Sequence, residues 1–164
     1  MTNNNVMRSL RYMLETNNQR ILEICKLGGL EVSKKDIHSF MLNEEDPDYV
    51  KCSDETLAHF LDGVITFKRG QDPHRAPMPI ELPMSNNQVL KKLKVAFELK
   101  EEELLALITS SGFVFGKSEL SSFLRKKDHR NYRPCGDQVL RYFLKGLTLK
   151  LREKPDPEAP AESD

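Results

Sequence analysis

Apolar residues recur at intervals of three and four along most of the chain, and this pattern occurs twice. The first predicted helix of each set has the same apolar stripe, Val6, Met7, Leu10 and Leu14 in one copy and Val89, Leu90, Leu93 and Phe97 in the other. This spacing places the apolar side chains on one face of a helix. Each copy shows four such segments, so the pattern predicts eight amphipathic helices.

The two copies align without a gap when the chain is shifted by 83 positions. Residues 3–69 then match residues 86–152, and about 18 of the 67 pairs are identical, whereas this composition would give roughly four by chance. A lone unit of this size buries only about 60% of its unfolded surface. We therefore predict an all-α fold of two tandem four-helix repeats, related by a pseudo-two-fold axis and packed as one globule.

The boundaries follow from the same alignment. We expect a first repeat over 1–69, a linker with four prolines over 70–83, a second repeat over 84–152 and a disordered acidic tail over 153–164. Three-residue alternations at 30–32 and 113–115 look extended, which leaves room for one very short extended pair between the repeats.

One glycine lies inside the last helix of each copy, Gly63 in the first and Gly146 in the second. Glycine in a helix interior costs about 1 kcal/mol relative to alanine. Its presence at both positions indicates that another backbone passes close by. The neighbour would be either the first helix of the same copy or the equivalent helix of the other.

Charge distribution and cysteine content limit the cellular compartments and the partners that fit the sequence. The net charge is zero, yet residues 84–152 carry 14 Lys and Arg against 7 Asp and Glu, while residues 1–69 carry 9 against 11. Three cysteines without a Cys-x-x-Cys pair indicate a reducing compartment. The start has no signal-peptide pattern and no apolar run approaches 18 residues. The sequence thus predicts a soluble cytoplasmic protein with no membrane contact.

The motifs repeated in both copies are the Asn-Asn helix starts, the Tyr-x-x-Cys-x-Asp loops and the Phe-Leu-x-Gly helices. With them, nearly all of residues 1–152 resembles the YehS-like family, a bacterial family of unknown function. The most specific stretches are 86–94, which reads NNQVLKKLK, and 135–144, which reads CGDQVLRYFL. The resemblance implies a cytoplasmic bacterial protein with two such copies. It supplies no activity and no catalytic residues.

The Tyr-x-x-Cys-x-Asp loops are the first candidate site. They contribute Tyr49, Cys52, Asp54, Tyr132, Cys135 and Asp137. One interpretation is a site between the repeats that binds a small polar ligand or mediates self-association. The alternative is structural, with buried cysteines, helix-capping aspartates and tyrosines that anchor the loops.

Catalysis and metal binding have weaker support. A nucleophilic cysteine needs a nearby base, and His129 precedes Cys135 whereas Asp46 takes that place before Cys52. A metal site of His38, Cys52 and His59 fits no zinc spacing and has no counterpart in the second copy. We therefore assign no catalytic residue, metal or cofactor.

The strongest local signal is the basic run at 125–133, which has five fixed positive charges in nine residues. Together with the basic positions of the preceding first helix, it predicts a surface that neutralises phosphates, with a tyrosine able to stack on a base. The residues are Lys91, Lys92, Lys94, Arg125, Lys126, Lys127, Arg130, Tyr132 and Arg133. The equivalent segment 42–50 is acidic, so polyanions should bind one copy only. The plain alternative is a solvated loop.

We favour a non-enzymatic binding or regulatory module that contacts RNA, DNA or another polyanion through the second repeat. One alternative is a protein-interaction or homodimer scaffold. Another is a small-molecule sensor or enzyme with a site between the repeats.

Overall fold

The computed structural model describes residues 1–74 and 79–152, and these form eight α-helices and no strand. The first repeat contains α1 (Asn3–Met13), α2 (Asn18–Leu27), α3 (Lys34–Met41) and α4 (Asp54–Arg69). The second contains α5 (Asn86–Ala96), α6 (Glu101–Thr109), α7 (Lys117–Leu124) and α8 (Asp137–Arg152). The predicted all-α fold of two four-helix repeats is confirmed. The tail predicted to be disordered, 153–164, lies outside the described residues, as do residues 75–78 of the linker.

Short polar side chains begin most of these helices. Ser33 and Asp36 form a capping box at α3, in which each side chain accepts a hydrogen bond from the other residue's backbone N–H at 3.0 Å. Ser53 caps α4 by accepting from the backbone N–H of Thr56 at 3.1 Å. At the start of α1 the cap is Thr2, not the asparagines that follow it. Those asparagines therefore serve another purpose.

Within each repeat, the second and fourth helices cross with their backbones in contact. A Cβ atom on Gly63 would lie 1.9 Å from the carbonyl oxygen of Ile24 in α2, and one on Gly146 would lie 2.2 Å from that of Leu107 in α6. The close approach predicted from the two glycines is confirmed. The predicted neighbour was wrong, because the adjacent backbone is the second helix of the same repeat.

Between the repeats, the contacts are reciprocal. Helix α1 packs against α8, and α5 packs against α4, so the first helix of each repeat contacts the fourth helix of the other. One continuous apolar core spans both repeats, and Phe60 and Phe143, at equivalent positions, are both fully buried. This exchange of partners is what a pseudo-two-fold axis produces, and it explains how two small units share one core.

The expected extended pair between the repeats does not form, since neither 30–32 nor 113–115 is a strand. Aromatic packing within the second repeat replaces it. The ring of Phe113 stacks on Tyr142 with 4.6 Å between centroids, and Phe115 stacks on Phe123 at 5.5 Å. Residues 113–115 thus place two aromatic side chains on helices of their own repeat.

Candidate functional site

A buried asparagine fixes the loop between the third and fourth helices of the first repeat. The amide nitrogen of Asn4 donates to the carbonyl oxygens of Phe40 at 3.1 Å and Val50 at 2.9 Å. Its Oδ1 accepts from the backbone N–H of Cys52 at 2.9 Å. One side chain in α1 therefore satisfies three backbone groups at both ends of the loop.

Asn87 repeats this arrangement in the second repeat. It donates to the carbonyl oxygens of Phe123 at 3.1 Å and Arg133 at 2.8 Å, and accepts from Cys135 N–H at 2.9 Å. In the sequence the Asn-Asn pairs are identified only as helix starts, where asparagine commonly caps a helix, and this role is missed. Their identity in both copies was the available signal, but a cap and a loop-binding amide look alike in sequence.

The loop aspartates connect the two repeats. Asn3 donates to Asp54 Oδ1 at 2.7 Å, and Asn86 donates to Asp137 Oδ1 at 2.8 Å. The other carboxylate oxygen accepts from the opposite repeat. Asp54 binds the backbone N–H of Met84 at 3.0 Å, and Asp137 binds the Met1 ammonium at 2.5 Å. That ammonium, and then the Asn86 amide, lower the pKa of Asp137.

The loop cysteines are buried thiols. Cys52 is fully buried and Cys135 is 6% exposed. Burial raises the pKa of both thiols to about 12, so neither supplies a thiolate near neutral pH. Their Sγ atoms lie 3.6 and 3.5 Å from the carbonyl oxygens of Ser53 and Gly136. These contacts give the two cysteines a structural role in their loops.

The histidines named as metal ligands are not grouped. The Nδ1 atom of His59 lies 2.7 Å from the carbonyl oxygen of Gly28, where α2 ends beside α4. No group of three His, Cys, Asp or Glu side chains suited to hold a metal ion occurs in the described part of the chain.

The two loops have the same backbone conformation. In the first, Asp46 N–H donates to Asn43 O at 2.9 Å and Tyr49 N–H donates to Asp46 O at 3.0 Å. In the second, His129 N–H donates to Lys126 O at 2.9 Å and Tyr132 N–H donates to His129 O at 3.0 Å. The charges differ, since 42–50 carries four acidic residues and 125–133 carries five basic residues and one acidic residue. One scaffold thus presents opposite charge at equivalent places.

The predicted basic residues differ in exposure: the loop residues are exposed, Lys91 and Lys94 are half-buried, and Lys92 is buried. The five in the loop are all exposed: Arg125, Lys126, Lys127, Arg130 and Arg133. Lys91 is half-buried and donates to the carbonyl oxygen of Arg125 at 2.7 Å, as Arg8 does to Leu42 at 3.4 Å in the first repeat. Lys94 is half-buried.

Lys92 does not belong to this surface. It is 5% exposed, and its ammonium forms an ion pair with Asp62 of the first repeat. A lysine buried against a carboxylate has no freedom to reach a phosphate. In the sequence it looks like its basic neighbours, because the contact that buries it comes from a helix of the other repeat.

Part of the basic loop borders a groove of about 830 Å³. Its lining combines three sources: the loop residues Lys126, Lys127 and half-buried Tyr132, Gln88 and Lys91 of α5, and residues 81–85. Glu81 and Asp128 also line it. The structure therefore brings together three of the predicted lysines and the tyrosine, but not Lys94 or Lys92.

Comparison with known proteins follows the same division of the chain. A family model described as "Protein of unknown function (DUF1456)" matches twice, at 3–70 and at 86–153. The uncharacterized protein YehS of Escherichia coli (strain K12) is 39% identical over 154 residues, which cover 94% of this chain and 99% of that protein. The resemblance expected from the repeated motifs is confirmed. No solved structure matches. In the described residues, no helix is long and apolar enough to cross a membrane.

Proposed function

The chain belongs to the DUF1456 family, and from its charged surface we propose that it is a non-enzymatic module that binds single-stranded nucleic acid through its second repeat. The single observation that carries the proposal is the pair of loops with one backbone and opposite charge. Because the first loop shows that this scaffold does not need basic residues to fold, the cations of the second loop call for a role outside folding.

The chemistry of the groove favours an extended strand. Lys126 and Lys127 are exposed at its wall and can neutralise successive phosphates. Tyr132 lines the same groove and offers an aromatic face on which one base can stack. A duplex keeps its bases stacked inside, so it would meet the cations and leave Tyr132 unused. Single-stranded RNA or DNA uses both features.

Fluorescence anisotropy with labelled single-stranded RNA and DNA, at 50 and 200 mM salt, tests the proposal. With about four phosphates neutralised, affinity should fall about fiftyfold between the two salt concentrations. The pair Lys126→Asn with Lys127→Glu gives the second loop the residues found at Asn43 and Glu44. We expect this variant to bind at least about tenfold more weakly at 50 mM salt and to show a shallower salt dependence.

The first repeat provides the matched control. Asn43→Lys with Glu44→Lys places the basic pair on the acidic loop, and this variant should bind at least as tightly as the native protein. Tyr132→Leu should weaken single-strand binding about tenfold but leave heparin binding unchanged, and Tyr49→Leu should change neither. No binding at 50 mM salt, or equal binding by the Lys126 and Lys127 variant, would refute the proposal. Equal loss of heparin binding with Tyr132→Leu would refute the stacking role.

A further inference from the structure

The two contacts between the repeats occupy equivalent places but differ in packing. Where α5 meets α4, the Lys92 ammonium and the Asp62 carboxylate are paired and largely covered. Where α1 meets α8, Ser9 takes the place of Lys92 and Lys145 takes the place of Asp62, each 83 positions from its counterpart. A serine opposite a lysine cannot form an ion pair. The α1–α8 contact therefore lacks the interaction that joins α5 to α4, and below we call it the open contact.

A groove of about 390 Å³ lies at this second contact. Its lining includes Ser9 and Tyr12 of α1 and Arg141, Leu144, Lys145 and Leu149 of α8. Tyr12 is 60% exposed and Leu149 is 43% exposed, so both present apolar surface beside the groove. The volume falls within the range of small-molecule sites.

The α1–α8 contact differs from the α4–α5 contact in both charge and apolar character. Ala58 and Asp62 of α4 correspond to Arg141 and Lys145 of α8, and Thr66 corresponds to Leu149. With Ser9 in place of Lys92, the α1–α8 contact has two cations where the other has one cation and one anion, and a leucine where the other has a threonine.

Among the described residues, neither cation at the groove forms an ion pair. Arg141 nevertheless has an acidic neighbour, because the pKa of Asp137 is lowered by the Met1 ammonium, then by the Asn86 amide, and also by the charge of Arg141. The side-chain nitrogens of Arg141 and Lys145 form no hydrogen bond or ion pair with any described residue. Asp137, one turn before Arg141 on α8, already accepts from the Met1 ammonium and from Asn86. The guanidinium of Arg152 lies over the ring of Tyr12, 4.2 Å from the ring centroid, and pairs with Glu15 at 3.4 Å.

We propose that the groove between α1 and α8 binds a small organic anion with an apolar body, such as a medium-chain carboxylate or an aromatic sulfonate. Lys145 and Arg141 bind the anionic head, and Leu144, Leu149 and Tyr12 contact the body. This site is separate from the basic loop and does not depend on nucleic-acid binding.

Fluorescence titration with 8-anilinonaphthalene-1-sulfonate tests the site, since this probe combines a sulfonate with fused aromatic rings. We expect saturable binding that decanoate displaces. Decanol, which lacks the charge, and acetate, which lacks the apolar body, should each be at least tenfold weaker competitors. Failure of the native protein to bind the probe saturably, or competition by decanol equal to that by decanoate, would overturn the proposal.

Two sets of variants locate the site. Ser9→Lys with Lys145→Asp gives the open contact the ion pair of the closed one, and should weaken probe binding at least tenfold without lowering the melting temperature. Lys145→Gln and Leu149→Thr remove one feature each at exposed positions, and each should weaken binding about fivefold or more. Lys117→Asp, an exposed charge reversal on α7 outside the groove, is the control and should change nothing.

If the paired variant fails to fold, the two single variants decide the question. Unchanged probe binding in both would exclude this groove. Loss of probe binding with nucleic-acid binding intact would separate this site from the basic loop.

Discussion

Asn4 and Asn87 each use both the nitrogen and the oxygen of the side-chain amide to hydrogen-bond the backbone of a neighbouring loop. Three hydrogen bonds of 2.8 to 3.1 Å form at each residue, and both side chains are buried. Aspartate would lose the two N–H donors and leucine would lose all three contacts. The residue is therefore specified by its hydrogen bonds, and it fixes the loop that presents the charged residues.

Asn87→Ala should lower the free energy of unfolding by about 3 kcal/mol or more, because it leaves two carbonyl oxygens and one N–H without partners. Urea denaturation followed by circular dichroism measures this. Asn5→Ala is the control, since Asn5 is half-buried in α1 and, among the residues that the structure describes, its side chain accepts only from Arg8. Its cost should be about 1 kcal/mol or less, and an equal cost for the two variants would contradict the assignment.

At the scale of helices, periodicity and duplication made the architecture predictable. Each helix could be identified twice, and a shared stripe such as Leu10 and Leu93 left little ambiguity about its buried face. The sequence did not predict which helices pack against each other. Lys92 is buried by Asp62 on another helix, and Gly63 lies against α2, not α1. Such pairings depend on the relative placement of helices, which periodicity does not report.

Gly146→Ala provides a test of helix packing in which propensity and packing oppose each other. Alanine is the better helix former by about 1 kcal/mol, but its Cβ would lie 2.2 Å from the carbonyl oxygen of Leu107. We expect a net loss of at least about 2 kcal/mol in unfolding free energy, because α6 must move away from α8. Gly136→Ala should cost about 1 kcal/mol or less, because no atom of the described residues, apart from its chain neighbours, lies within 4 Å of the added Cβ. A more stable Gly146→Ala protein would show that the helices are not in backbone contact.

At the scale of the whole molecule, the reciprocal contacts make each repeat dependent on the other. Each fourth helix packs both within its own repeat and against the first helix of the other. The buried Lys92 and Asp62 pair joins the two repeats directly. Loss of one repeat would expose the apolar surface of the other, together with Lys92 or Asp62, so we expect neither half to form a stable fold alone. The molecule should therefore unfold as one cooperative unit.

The buried cysteines allow the unfolding of the two repeats to be followed separately in one experiment. Cys52 reports on the first repeat and Cys135 on the second. Both thiols are buried, with pKa values raised to about 12, so alkylation at pH 8 requires unfolding. Pulsed alkylation across a urea series, read by mass spectrometry, should give coincident unfolding midpoints for the two cysteines.

Lys92→Ala should move both midpoints down together, by about 3 to 5 kcal/mol in unfolding free energy, because it leaves Asp62 without its partner. Lys92→Met with Asp62→Leu should restore most of that loss, since an apolar pair can replace a buried ion pair. If Cys135 reacts at lower urea than Cys52, the second repeat opens alone and the shared core does not couple the two halves.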